Sequence, residues 1–172
     1  MRKTLIVLDM LNGFCDPRGA LYSDAARRII PFVARKIEEH RQAGSQIIFV
    51  ADQHDPDDKE FSRYPRHCVK GSWESEVVPE LAAKAPNAIL VAKKRYGAFY
   101  ETSLEQLLGD WKPDLVEVVG VCTNICVLYT VEELVNRDYK VRVYRDGVAS
   151  FDQPGHEFAL KEMARVHGAE IA

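Results

Sequence analysis

The segment Val116–Glu133, VEVVGVCTNICVLYTVEE, carries an apolar run that breaks at Gly120 into a turn and delivers Cys126 to the start of a helix. A helix start has unpaired backbone N–H groups and a partial positive charge, which favour a thiolate over a thiol. The same N–H groups can hold the oxyanion that forms when a sulfur attacks a carbonyl. The plain alternative for Cys126 is a small buried hydrophobe. Cys122 sits inside the turn, where its backbone N–H is of more use than its sulfur, as a second oxyanion donor.

Other candidate groups stand just after apolar runs. Asp9 follows TLIVL, and Lys93 follows Ala88–Ala92. A carboxylate behind such a run needs a partner if it is buried. Asp9 is therefore either half of a structural ion pair or a general base that takes the Cys126 proton. Lys93 would orient Asp9 and balance its charge, with Lys94 and Arg95 as competitors for that place. Asp52, His54 and His67, with Glu60 between them, form the metal candidate. Asp-x-His places two side chains on one side of an extended chain, and carboxylate plus imidazole ligands suit zinc, manganese, iron or nickel. Asp55, Asp57 and Asp58 are alternatives to Glu60. Phe14, Tyr64, Trp73, Tyr96 and Phe99 could wall a small pocket, although aromatic residues are more often core. His40 and His167 read as surface residues, His156 as structural and Trp111 as packing.

The elements that must position these groups follow from the hydrophobic pattern. Strands are predicted over Thr4–Leu8, Gln46–Ala51, Ala88–Ala92, Leu115–Val119, Val141–Tyr144 and Ala169–Ala172. Helical spacing covers Ser23–Gly44, Val77–Ala83, a stretch opened by Thr102 with Glu105 in capping-box spacing, Ile125–Asn136 with Asn124 as N-cap, and Pro154 to Gly168. Asn12–Gly19 reads as loop. This alternation predicts an α/β fold, a parallel sheet covered on both faces, whose ligands bind outside the carboxyl ends of the strands. At 172 residues the chain is expected to form a single domain spanning 1–172. A net charge of -3 with no basic stripe argues against nucleic acid, and no apolar run is long enough for a membrane span. The opening MRKTLIVLDM is read as a core strand of a cytoplasmic protein, with Cys15, Cys68, Cys122 and Cys126 reduced.

In order along the chain, VLDMLNGF, ADQH, YPRHCVKGS, KKRYGAFYETSLEQLL, VGVCTNICV and YRDGVASFDQPGHEFAL resemble the isochorismatase-like cysteine hydrolases, and among them the nicotinamidases. The resemblance implies a Rossmann-like three-layer αβα fold with a six-stranded parallel sheet. It implies the catalytic triad Asp9, Lys93 and Cys126, selecting Lys93 over Lys94, and a non-proline cis peptide matching Val121–Cys122. It also implies a metal site of Asp52, His54, Glu60 and His67, one divalent transition metal with zinc first, and an aromatic substrate sandwich of Phe14, Tyr64 and Tyr96. Gly97 stands where a serine is common, and Tyr64 where tryptophan or phenylalanine is frequent. The implied reaction is hydrolysis of nicotinamide to nicotinate and ammonia through a thioester, a step of pyridine nucleotide salvage. The alternatives are a cysteine amidase for another small amide, ureido or carbamoyl substrate, and a non-catalytic small-ligand-binding module. A homo-oligomer is also implied.

Overall fold

Six runs rich in β-branched residues form one parallel sheet: β1 (Lys3–Leu8), β2 (Gln46–Asp52), β3 (Ile89–Lys93), β4 (Leu115–Val121), β5 (Val141–Ala149) and β6 (Glu170–Ile171). The computed structural model describes residues 1–172. The strand order is β3-β2-β1-β4-β5-β6. The chain builds outward from β1 to β3 on one side, then crosses to β4 and builds outward on the other. The order therefore reverses between β1 and β4, and in such sheets the crevice at that switch point is where ligands sit. Central strands buried on both faces explain the continuous apolar runs, since each face packs on its own layer of helices. One core holds Leu5, Val7, Val33, Ile37 and Phe49, and the other holds Ile6, Ile48, Val118, Leu134 and Leu160.

The helices are α1 (Asn12–Cys15), α2 (Asp24–Arg28), α3 (Ile30–Gln42), α4 (Pro79–Ala82), α5 (Leu104–Trp111), α6 (Leu128–Val135) and α7 (Gln153–Arg165). Several expectations are corrected. The single helix predicted from Ser23 is two helices, because Pro31 cannot donate into a continuing helix but suits the first turn of a new one. Asn12–Cys15, expected as loop, makes a helical turn. The Thr102–Glu105 capping box is absent: Thr102 Oγ1 accepts from Leu104 N, while Glu105 pairs with Arg137. β5, expected to end at Tyr144, runs on to Ala149, since its register against β4 slips between Val118 and Gly120 and the residues between Val143 and Val148 bulge out within the strand. His40 is buried on α3 and its Nε2 lies 2.5 Å from Glu117 Oε2, so it is not a surface residue.

The turn that carries Cys126 also differs from expectation. Thr123–Val127 is a π-helical turn, with Val127 N and Ile125 N both donating to Cys122 O, and the regular helix α6 begins only at Leu128. Asn124 does not cap it; its Oδ1 accepts from Ser150 Oγ instead. The peptide bond Val121–Cys122 is cis, as the resemblance implied. Gly120 just before it has φ 122°, and a Cβ there would stand 2.7 Å from Leu8 N and closer still to Leu8 O. Only glycine lets β4 lie this close to the end of β1.

Candidate active site

Asp9, Lys93 and Cys126 come from the ends of β1, β3 and β4 and meet at the switch point. Asp9 adopts φ 51°, its N–H bonded to Val50 O, which turns its side chain back over the strand ends. Its Oδ1 accepts from Asp52 N at 2.9 Å. Its Oδ2 lies 2.9 Å from Lys93 Nζ, with no donor aligned on it. Lys93 Nζ also stands 3.5 Å from Cys126 Sγ and donates to Asp52 Oδ1. All four side chains are buried.

The electrostatics of this cluster depart from the simple helix-start argument. Burial pushes the Cys126 thiol well above its usual range, Lys93 pulls it down, and Asp9 and Asp52 push it up again. The net effect favours the thiol over the thiolate. Burial, reinforced by Asp52, raises the Asp9 carboxyl to about 6 against the pull of Lys93. Burial opposes a charged Lys93, yet Asp52 and Asp9 hold its ammonium well above the ordinary lysine value. The arrangement is a proton acceptor near neutrality beside a thiol, with a fixed positive charge touching both.

Asp52, His54 and His67 bring one ligand atom each within 4.8 Å of one another, all three buried. His54 Nδ1 bonds Asp58 Oδ2 at 3.0 Å, and His67 Nδ1 bonds Pro65 O at 2.7 Å. Each ring thus turns Nε2 toward Asp52, at 3.7 and 4.0 Å from its Oδ2, and His54 Nε2 has no hydrogen-bond partner. An orphaned buried imidazole nitrogen beside a carboxylate and a second imidazole fits a divalent cation of the zinc type. Glu60 is buried nearby with Oε2 unpartnered but is not one of the three converging ligands. Burial raises its carboxyl, as it would any carboxylate lacking a partner here.

The two groups share one cavity of about 70 Å³, lined among others by Asp9, Cys126, Asp52, His67 and Glu60. Phe14, Tyr64 and Tyr96, expected as the sandwich, line it too. Trp73 and Phe99 do not: Trp73 lies under the Arg18 guanidinium on the surface, and Phe99 packs in the core. The larger concavity of about 560 Å³, between Glu38 and Ile89, lies at the opposite ends of β2 and β3 and holds none of these groups. Val121, Cys122, Leu21, Ile125 and Phe151 line the rest of the wall; the sequence pattern does not single out Leu21, Ile125 or Phe151. Phe151 lies two residues beyond the true end of β5, so the strand-end rule would have reached it had the strand been drawn to Ala149. Asp58, an alternative ligand by sequence, instead holds His54.

The Isochorismatase domain family matches residues 3–172. This chain belongs to the isochorismatase family. Among solved structures, the nicotinamidase/pyrazinamidase PncA from Bacillus subtilis is 32% identical over the full length of both chains, with a TM-score of 0.94. An N-carbamoylsarcosine amidase from Thermoplasma acidophilum is also 32% identical, over 99% of this chain and 95% of its own, at 0.88. A pyrazinamidase of Pyrococcus horikoshii in complex with zinc is 29% identical over 100% of this chain and 99% of its own, at 0.91. The six-stranded sheet and its flanking helices are the isochorismatase-family α/β fold, and the convergence described above occupies its switch point. No helix is long and apolar enough to cross a membrane.

Proposed function

We propose that this protein is a cysteine amidohydrolase that converts nicotinamide to nicotinate and ammonia. The observation that carries this reading is the shared cavity, where Cys126 and Asp9 of the thiol–carboxylate–ammonium cluster meet Asp52 and His67 of the buried Asp-His-His set. Asp52, His54 and His67, with Glu60 as a fourth group, would hold the metal. A bound divalent cation would supply a Lewis-acidic contact for a ring nitrogen. Asp9 Oδ2 takes the proton of Cys126. Lys93, 3.5 Å from Sγ, stabilises the thiolate as it forms. The sulfur attacks the amide carbonyl, and the backbone N–H groups of Cys122 and Cys126 hold the oxyanion, where one good donor contributes about 3 kcal/mol. Asp9 returns its proton to the departing ammonia. Water then adds to the thioester with Asp9 as base, releasing the acid and regenerating the thiol. Phe14, Tyr64 and Tyr96 clamp a flat ring and exclude bulk water.

The likeness to an N-carbamoylsarcosine amidase keeps a second reading in play, the same triad acting on a carbamoyl or ureido group. Ammonia release from nicotinamide, pyrazinamide and a panel of N-carbamoyl and ureido acids separates the two, each measured before and after chelation. The expected result is turnover of the aromatic amides, lost on chelation and restored by zinc or manganese. Turnover confined to the carbamoyl compounds, or indifferent to chelation, would overturn the nicotinamide reading.

A further inference from the structure

The buried carboxylate of Asp58 belongs neither to the thiol cluster nor to the three converging ligands, yet it bonds groups on three segments around the cavity. Its side chain is 3% exposed. Oδ2 lies 3.0 Å from His54 Nδ1. Oδ1 accepts the backbone N–H of Glu60 at 2.9 Å, capping the short 3-10 turn Lys59–Ser62. Arg95 Nη1 reaches both oxygens, at 3.2 and 3.0 Å, while also donating to Lys94 O. Arg95 directly precedes Tyr96, a wall of the cavity, and follows Lys93 by two residues. A single carboxylate therefore ties together a histidine of the metal set, the turn that aims Glu60 and the segment carrying the triad lysine and an aromatic wall.

His67 is arranged differently. Its Nδ1 is held by the carbonyl of Pro65 in its own loop, so no side-chain substitution can release it in the same way. His54 alone depends on a side chain for its ring orientation. A carboxylate on the far nitrogen fixes which nitrogen carries the proton and makes the near one a better ligand.

We propose that Asp58 is the positioning residue of the metal site: it fixes His54 with Nε2 toward Asp52, aims Glu60, and through Arg95 couples the site to the Lys93–Tyr96 segment. This rests on the metal site of the proposed function. Its test is zinc affinity, measured by titrating metal-free protein against a chromophoric chelator, with thermal melting of the metal-free forms as the fold control. Asp58→Ala is expected to weaken zinc binding by about 10–100-fold, in the range seen for outer partners of metal ligands. Asp58→Asn, which keeps the shape and one acceptor, should lose less. A purely structural role would lower the melting point and leave the affinity of the folded fraction unchanged. If Asp58→Ala does not fold, Asp58→Asn decides alone. Wild-type affinity in the folded variants overturns the proposal while leaving the metal site standing, provided His54→Ala has lost zinc. A wild-type protein that takes up no zinc removes the metal site itself, and this proposal with it.

Discussion

In the proposed reaction, the chemistry at Cys126 depends on a proton transfer rather than on a ready-made thiolate. Burial and two carboxylates push the thiol pKa up, and in the proposed mechanism Asp9, raised to about 6, accepts the proton. Two outcomes follow. Cys126→Ala should abolish ammonia release, a loss of 1,000-fold or more in kcat on the order expected for a covalent nucleophile. Cys122→Ala, which keeps the backbone N–H assigned to the oxyanion, should retain a large part of it; equal losses would remove the distinction between the two sulfurs. The pH profile gives the second. As the proposed base, Asp9 acts only when ionised, so kcat/KM should fall as pH drops through about 6, approaching tenfold per unit below it. A flat profile between pH 5 and 7 would mean another group takes the proton. Asp9 is legible as a candidate in the sequence because it follows an apolar run, and strand ends are where such sheets bind ligands; Cys126 is legible from the turn at Gly120. The resting state of the thiol was not legible, since burial and two carboxylates from distant strands decide it.

At the scale of elements, the site depends on how closely β4 approaches β1. Gly120 adopts a φ that L residues rarely take, and the space for its missing Cβ is filled by the Leu8 backbone. Leu8 is followed by Asp9, so any displacement of β4 moves Asp9 and the cysteine turn relative to one another. Gly120→Ala should therefore lower stability by about 3 kcal/mol or more, read from urea unfolding, and depress activity in whatever fraction still folds. Gly168→Ala makes the comparison: it also has positive φ, but a Cβ there meets nothing within 4 Å, so its cost is the backbone conformation alone, about 1 kcal/mol. If the two variants unfold alike, the close approach is not what Gly120 serves. The strands themselves could be read from periodicity, and β1, β2 and β4 were placed to within about two residues, the usual uncertainty of element ends. The π-helical turn and the bulge in β5 could not be read this way. Both are departures from regular spacing imposed by neighbours, Cys122 O in one case and the edge of β4 in the other.

Across the whole molecule, the two ends of the sheet carry different work. The C-terminal ends hold the cavity, with orphaned polar atoms and crowded carboxylates. Nearer the N-terminal ends, Glu117 on β4 is buried but fully engaged: Lys3 Nζ at 3.2 Å, Arg142 Nη1 at 2.9 Å and His40 Nε2 at 2.5 Å link β1, β5 and α3 through one carboxylate. Burial alone would raise this carboxyl, but the bonds from His40 and Lys3 hold it down at about 2. A folded-state value below the ordinary 4.5 means stability that is present above pH 4.5 and is lost as pH falls toward 2. Lys3 and Arg142 are partly solvent-exposed, which screens their share, so Glu117→Gln should cost about 2 kcal/mol at neutral pH, within the range for hydrogen bonds to a charged group. The gap between variant and wild type in urea midpoint should narrow as pH is lowered from 5 to 3. Because none of these groups reaches the cavity, kcat and KM for the folded variant should match those of the wild type at 25 °C. A variant of wild-type stability with impaired turnover would mean that the two ends of the sheet are coupled through β4, and that the carboxylate at one end helps to set the cysteine turn at the other.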